Sequence, residues 1–216
     1  MPGVTISASY GTGGSVIAQL VAQALELPLL DRAISTDVAA KLQVSVTEAE
    51  DGTFARSRID RFFGILAPLA GGVLGAGTDA APPEAVPAPD EATLFRDQAE
   101  AIMRQSLEDG AVILGRAGAA AFRNERDVLR VRLFGPLAAR IAHAARTQSV
   151  DTDTAAKRLP QVDNARAQYV RRLYNVDIND PELFDLQLNS TLFAADVCAG
   201  IIALAYRALV WPDGPA

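Results

Sequence analysis

The residues best equipped for chemistry stand near the start of the chain, in Tyr10-Gly-Thr-Gly-Gly-Ser15. Gly11, Gly13 and Gly14 put three residues without side chains into four positions, where the backbone must turn and lie close to a partner. Val4 to Ser7, ahead of them, is β-branched and apolar and reads as a short buried strand. From Ser15 onward the apolar pairs Val16/Ile17, Leu20/Val21 and Ala24/Leu25 recur every four residues, one face of a helix. Strand, glycine turn and helix together aim bare N–H groups and the positive helix end at one point, which suits an anion such as phosphate. Against the phosphate-loop consensus GxxxxGK(S/T), Ser15 takes the place of the hydroxyl that holds magnesium. Gly13 takes the second glycine, Ala8 the first glycine and Gly14 the lysine. The cradle of Gly11, Thr12, Gly13, Gly14 and Ser15 is present and its cation is missing. A close-packed turn that binds nothing is the competing reading, and Ser15 fits an ordinary helix N-cap as well.

Five further positions carry usable charge. Arg116 follows the continuous apolar run Ala111-Val-Ile-Leu114, at the strand edge where α/β sheets place ligands, and an arginine there calls for an anionic partner. Asp31 ends the run Leu27-Pro-Leu-Leu30; it suits a metal-bound water or an acceptor group, and equally the cap of a helix through about Leu42. Asp163 and Arg166 stand three apart on a polar helix, either near phosphate or as an exposed i,i+3 pair. Arg158 lies earlier in the same stretch. One cysteine, Cys198, excludes an internal disulfide and a cysteine-based metal site, and one histidine, His143, argues against a histidine metal cluster or a Ser-His-Asp triad.

The net charge of −6 is unevenly spread. Residues 1–115 carry 7 basic and 15 acidic side chains, residues 116–172 carry 12 and 5, and the remainder 1 and 6. A basic middle in an acidic chain suits a small polyanion better than long nucleic acid. No run approaches the roughly 18 apolar residues that would span a bilayer. The amino end is too interrupted for a signal peptide, so the cytoplasm is the expected compartment.

The elements that must position these residues alternate between strands and helices, which implies a parallel sheet covered on both faces. Beyond the first helix, Ser45-Val-Thr-Glu48 reads as a capping box and Thr53 to Leu69 as an amphipathic helix. Gly71 to Ala92 holds 14 Gly, Ala or Pro in 22 residues and no apolar period, so a mobile loop is expected there. Helix is expected over about 92–108, strands over 111–114, 127–134 and 184–188, and helices over 136–146 and 193–209. Thr152 to Tyr174 reads as an arginine-rich helix with little core of its own.

This order of motifs resembles the cytidylate-kinase-like family, a branch of the P-loop nucleoside monophosphate kinases, over roughly residues 3–209. Ile6-Ser7 with Tyr10-Gly-Thr-Gly-Gly14 is similar to the family's opening signature, which itself lacks the usual lysine, and Leu30-Asp31 to its second-strand ending. Ile113-Leu-Gly-Arg116 resembles the strand whose Gly-Arg pair meets the acceptor nucleotide. Asp163-Asn-Ala-Arg166 resembles the lid helix that approaches the phosphates, and Phe184-Asp-Leu-Gln-Leu-Asn189 the last strand. The family has an arginine where this chain has Ala8, so the loop brings no positive charge of its own.

The resemblance implies a three-layer α/β P-loop kinase fold of about five mostly parallel strands. The core would cover about 1–43, 96–149 and 181–210, with an acceptor-side insertion at about 44–95 and a lid at about 150–180. It implies phosphoryl transfer from ATP, with Mg2+, to a nucleoside monophosphate or a similar small phosphorylated acceptor. Gly11 to Ser15 would hold the nucleotide, Ser15 the metal, and Asp31 and Arg116 the acceptor. Arg116, Arg158, Asp163 and Arg166 would serve catalysis, the arginines supplying the charge the loop lacks. The alternative is a nucleotide-binding module that has lost catalysis and works through partner contacts. Base selectivity and oligomeric state have no signature in the sequence.

Overall fold

A computed structural model describes residues 2–31 and 91–210. The strands are β1 (Gly3–Ala8), β2 (Leu29–Leu30), β3 (Ala111–Leu114), β4 (Val128–Phe134) and β5 (Leu186–Asn189). The helices are α1 (Gly14–Leu25), α2 (Glu91–Leu107), α3 (Gly118–Ala121), α4 (Leu137–Thr147), α5 (Thr152–Tyr174) and α6 (Ala195–Val210). All five strands run parallel in the order β2-β3-β1-β4-β5. Every carboxyl end therefore lies on one edge of the sheet, and the glycine loop after β1 sits at its centre.

Alternation along the strands decides which helix covers which face. Val4, Ile6, Val112, Leu114, Leu129, Val131 and Leu133 point to α1 and α6, where Ile17, Val21, Cys198 and Ile202 close a core. Ala111, Ile113 and Val128 point the other way, toward Met103 and Leu107 of α2 and Phe122. This is the three-layer P-loop kinase fold expected from the sequence.

Two boundaries differ in kind from the expectation. Helix α5 runs from Thr152 to Tyr174 as read, but it is not poor in core: Ala155, Leu159, Val162, Val170 and Leu173 are buried. These apolar residues are spaced widely among arginines, which hid the stripe. Asp151 caps the helix by accepting from the Thr154 N–H at 2.7 Å, and Asn175 ends it in a left-handed conformation with φ 53°. Pro136 stands at the N-cap of α4 rather than inside its first turn. The last strand begins at Leu186, because Pro181–Leu183 forms a short 3-10 turn and Asp185 is tied to Arg130 by both carboxylate oxygens. The expected capping box at Ser45, the helix of Thr53–Leu69 and residues 71–90 of the expected loop lie outside the described residues, while Glu91 and Ala92, read as the end of that loop, begin α2.

Candidate active site

The loop between β1 and α1 is held from three sides, and its carbonyl oxygens are nearly all spent. The Ser9 carbonyl accepts from the Thr12 N–H at 3.3 Å and from the Thr12 hydroxyl at 2.7 Å. The Thr12 carbonyl accepts from the Ser190 hydroxyl at 2.8 Å, and the Ala8 carbonyl from Arg166 Nη1 at 2.8 Å. By contrast, no acceptor among the described residues meets the N–H groups of Gly11, Gly13, Gly14 or Ser15. With carbonyls turned into the protein and N–H groups left bare at a helix start, the loop presents its positive side outward.

The glycines are demanded by packing at two points. Gly11 has φ 75°, and a Cβ there would run into the backbone carbonyl of Arg140 on α4. Gly13 has φ 71° and forms the N-cap of α1; a Cβ there would come within 3.3 Å of the His143 ring. The cap is thus backbone alone, which corrects the reading of Ser15 as an N-cap. Ser15 lies one residue inside the helix, exposed, and its hydroxyl has no partner among the described residues. Thr12 is 2% exposed and its hydroxyl is used internally, so its contribution to a ligand is its position in the backbone.

His143 lies beneath this turn. Burial, then Arg146, hold its imidazole below the ordinary histidine range, and the Gly11 backbone opposes them. It is therefore neutral at pH 7 and adds no charge to the loop.

Asp163 and Arg166 of α5 reach the loop backbone itself. Asp163 accepts from the Tyr10 N–H at 2.8 Å and from Arg140 Nη1 at 2.6 Å, and Arg166 Nη1 stands 3.9 Å from it. Arg140 Nη1 also reaches the Tyr10 carbonyl at 3.4 Å. So Asp163 and Arg166 are not an exposed i,i+3 pair; they fasten α5 to the first half of the loop. Arg158, on the same helix, is exposed and has no polar partner among the described residues. The structure does not bring it to the loop.

Arg116 sits where expected, after β3, in a strained turn. Gly115, Arg116 and Ala117 have φ of 75°, 54° and 56°, three successive left-handed residues of which two are not glycine. Such a backbone costs about 1–3 kcal/mol per non-glycine residue and persists only where its surroundings hold it. Arg116 Nε donates to the Asp31 carbonyl at 3.0 Å. Burial lowers the Arg116 pKa, while the neighbouring Tyr169 and then Asp31 raise it. Tyr169 is in turn pushed up to about 12 by burial, against the pull of Arg116. Asp31 is exposed, and the helix it was expected to cap lies outside the described residues.

Three participants escaped the sequence reading. Arg140 stands one turn before buried Ala144 on the core side of α4; an arginine on an apolar face was the available signal. Ser190 follows the last-strand motif directly, but nothing local distinguishes its hydroxyl. Arg132 was one basic residue among many in the 116–172 span, legible only as an arginine at an inward register of a strand. Among the described residues no cluster of His, Cys, Asp and Glu could hold a metal ion by itself, and no helix is long and apolar enough to cross a membrane.

Cytidylate kinase of Methanopyrus kandleri is 27% identical over 121 residues, 52% of this chain and 63% of that protein. Cytidylate kinase of Thermoplasma acidophilum is 24% identical over 114 residues, 52% of this chain and 60% of its own length. The chain thus matches these relatives over about 60% of their length. A crystal structure of an uncharacterized protein from Eubacterium ventriosum superposes with a TM-score of 0.61 at 15% identity, covering 95% of this chain and 97% of the other, which is a likeness of fold. Residues 3–192 match the profile of the cytidylate kinase-like family, from the β1 strand through the glycine loop, the Gly-Arg turn and α5 to the last strand, and the chain belongs to that family.

Proposed function

We propose that the protein transfers a phosphoryl group from ATP to a nucleoside monophosphate, cytidylate-like, or to a similar small phosphorylated acceptor. The observation that carries this reading is the strained turn at Gly115-Arg116-Ala117. A left-handed arginine stands there at the carboxyl edge of a sheet strand, and such strain collects where a side chain must be aimed.

In this reading the bare N–H groups of Gly11, Gly13, Gly14 and Ser15 bind the donor phosphates, helped by the dipole of α1. Ser15 would hold Mg2+ through its hydroxyl, which is exposed and unspent among the described residues. The ion would shield the donor's charge. With no acidic cluster beside it among the described residues, the rest of that coordination would fall to phosphate oxygens and water. Arg116 orients the acceptor's anionic group from the β3 side, with Asp31 beside it.

The loop lacks a lysine, so positive charge must come from elsewhere. Arg166 and Arg140 supply it at the loop, both already in place through Asp163, and Arg158 would contribute only on lid closure. One observation favours a second reading, a nucleotide-binding module without catalysis: the guanidinium of Arg166 is engaged with the Ala8 carbonyl. The deciding experiment follows labelled phosphate from the γ-position of ATP onto a mixed pool of nucleoside monophosphates with magnesium. Transfer that falls with Arg116→Ala supports the kinase. ATP binding without transfer replaces it with the binding module.

A further inference from the structure

A second cationic feature lies across β1 from Arg116. One edge of β1 pairs with β3, which leads to Arg116; the other pairs with β4, where Arg132 stands in register with Ser7. Arg132 Nη1 donates to Ser7 Oγ at 2.7 Å and Nη2 to Ser9 Oγ at 3.0 Å, and its guanidinium lies 5.8 Å from the Phe184 ring centre. Both hydrogen-bond partners are neutral, and among the described residues no carboxylate forms an ion pair with it. Burial lowers the Arg132 pKa, as it does for a guanidinium withdrawn from water without a direct counter-ion.

This guanidinium lines a cavity of about 340 Å³ between the β1–β4–β5 edge and α5, with Arg140 and Arg166 beside it. The charged residues of the lining are those three arginines and Asp163, a surplus of two positive charges. Asp163 pairs with Arg140 at 2.6 Å and stands 3.9 Å from Arg166, so Arg132 is the guanidinium of this lining with no carboxylate ion-paired to it among the described residues. The remaining walls are apolar or neutral, with Phe134, Ile178 and Phe184 the largest apolar ones. A partly dry pocket with surplus guanidinium groups and aromatic walls is built to hold an anion that has an apolar or planar part. Its volume is at the lower end for small-molecule sites, which fits a monophosphate-sized ligand better than a triphosphate.

We propose that this cavity is a second anion site, distinct from the glycine loop, which takes the phosphate or carboxylate group of a small metabolite on Arg132 and packs its apolar part against Phe184. The site touches Ala8 and Ser9, so its occupant lies against the first half of the loop while nucleotide phosphates would take the N–H groups of the second half.

The test uses the full chain and follows the arginine Nε–H signals by NMR during titration with inorganic phosphate, and separately with acetate as the carboxylate probe. The wild-type protein should show saturable shifts of Arg132 with one probe or both. Gly13→Val should remove the loop's response and leave that of Arg132. Arg132→Gln should weaken the cavity event by at least about tenfold, with Arg132→Lys intermediate. An Arg132 signal in folded wild-type protein that responds to neither probe overturns the proposal, and so does a phosphate affinity untouched by Arg132→Gln. If Arg132→Gln does not fold, the wild-type and Gly13→Val titrations decide alone. Should Gly13→Val leave nucleotide binding intact, the loop assignment falls while the Arg132 response still stands or fails on its own.

Discussion

Asp163 gives the sharpest test of how the site is held. Its carboxylate joins a loop N–H and an arginine that come from two other elements, Tyr10 after β1 and Arg140 on α4. Tyr10 is 2% exposed, so its N–H has no easy recourse to water when the acceptor is removed. Hydrogen bonds to a charged group contribute about 1.5–3 kcal/mol each, and an orphaned buried partner adds its own desolvation cost. Removing one member of a buried pair costs about 3–5 kcal/mol. The Asp163 and Arg140 side chains are 28% and 12% exposed, so the lower end applies, about 3 kcal/mol for Asp163→Ala. In a chain of this length that lowers Tm by roughly 6–12 °C. Asp163→Asn keeps an amide oxygen for the Tyr10 N–H but loses the countercharge of Arg140, and should cost about half as much. Urea denaturation of the wild type, Asp163→Ala, Arg140→Gln and the double variant measures the coupling, expected at about 1.5 kcal/mol or more. If Asp163→Ala unfolds within about 0.5 kcal/mol of wild type while phosphoryl transfer collapses, Asp163 acts on the substrate and the brace is wrong.

Gly11→Ala should destabilise more than an ordinary surface change, because the added Cβ meets a backbone carbonyl of α4 that cannot rotate away; circular dichroism melting with and without ATP would show loss of both stability and binding. Arg116→Gly should keep or raise stability by up to about 1 kcal/mol, since glycine relieves a φ of 54°, and yet abolish acceptor use. A large loss of Tm would show instead that Arg116 is structural. His143 has a depressed pKa in the folded state, so the unfolded chain binds the proton more readily. Its contribution is full above the unfolded value near 6.5 and is lost as pH falls through that value toward the lower folded one. Denaturation midpoints from about pH 7.5 down to 5 should fall, and His143→Gln should flatten that slope.

Sequence alone determined the elements around the loop and the place of the loop itself. Local periodicity and turn chemistry marked β1, the glycine turn, α1, β3 with its Gly-Arg ending, and β4. The reason is that such signals act within a few residues: β-branched runs, four-residue apolar spacing, and glycine where φ must be positive. The family resemblance carried the order of these pieces. Tertiary structure alone decided what the polar side chains do. Thr12 turns its hydroxyl inward to Ser9, while the Ser15 hydroxyl, which the sequence also allowed as a cap, has no partner among the described residues because Gly13 caps the helix. Asp163 finds its partner 153 residues away, Arg166 finds a loop carbonyl at a separation of 158, and Ser190 reaches Thr12 across 178. Hydrogen bonds between residues so far apart leave no local pattern, since a carboxylate or hydroxyl on a helix or turn looks the same whether it meets water or a backbone. The parallel sheet brings β1, β4 and β5 to one edge, and only there do Arg132, Arg140 and Arg166 become neighbours.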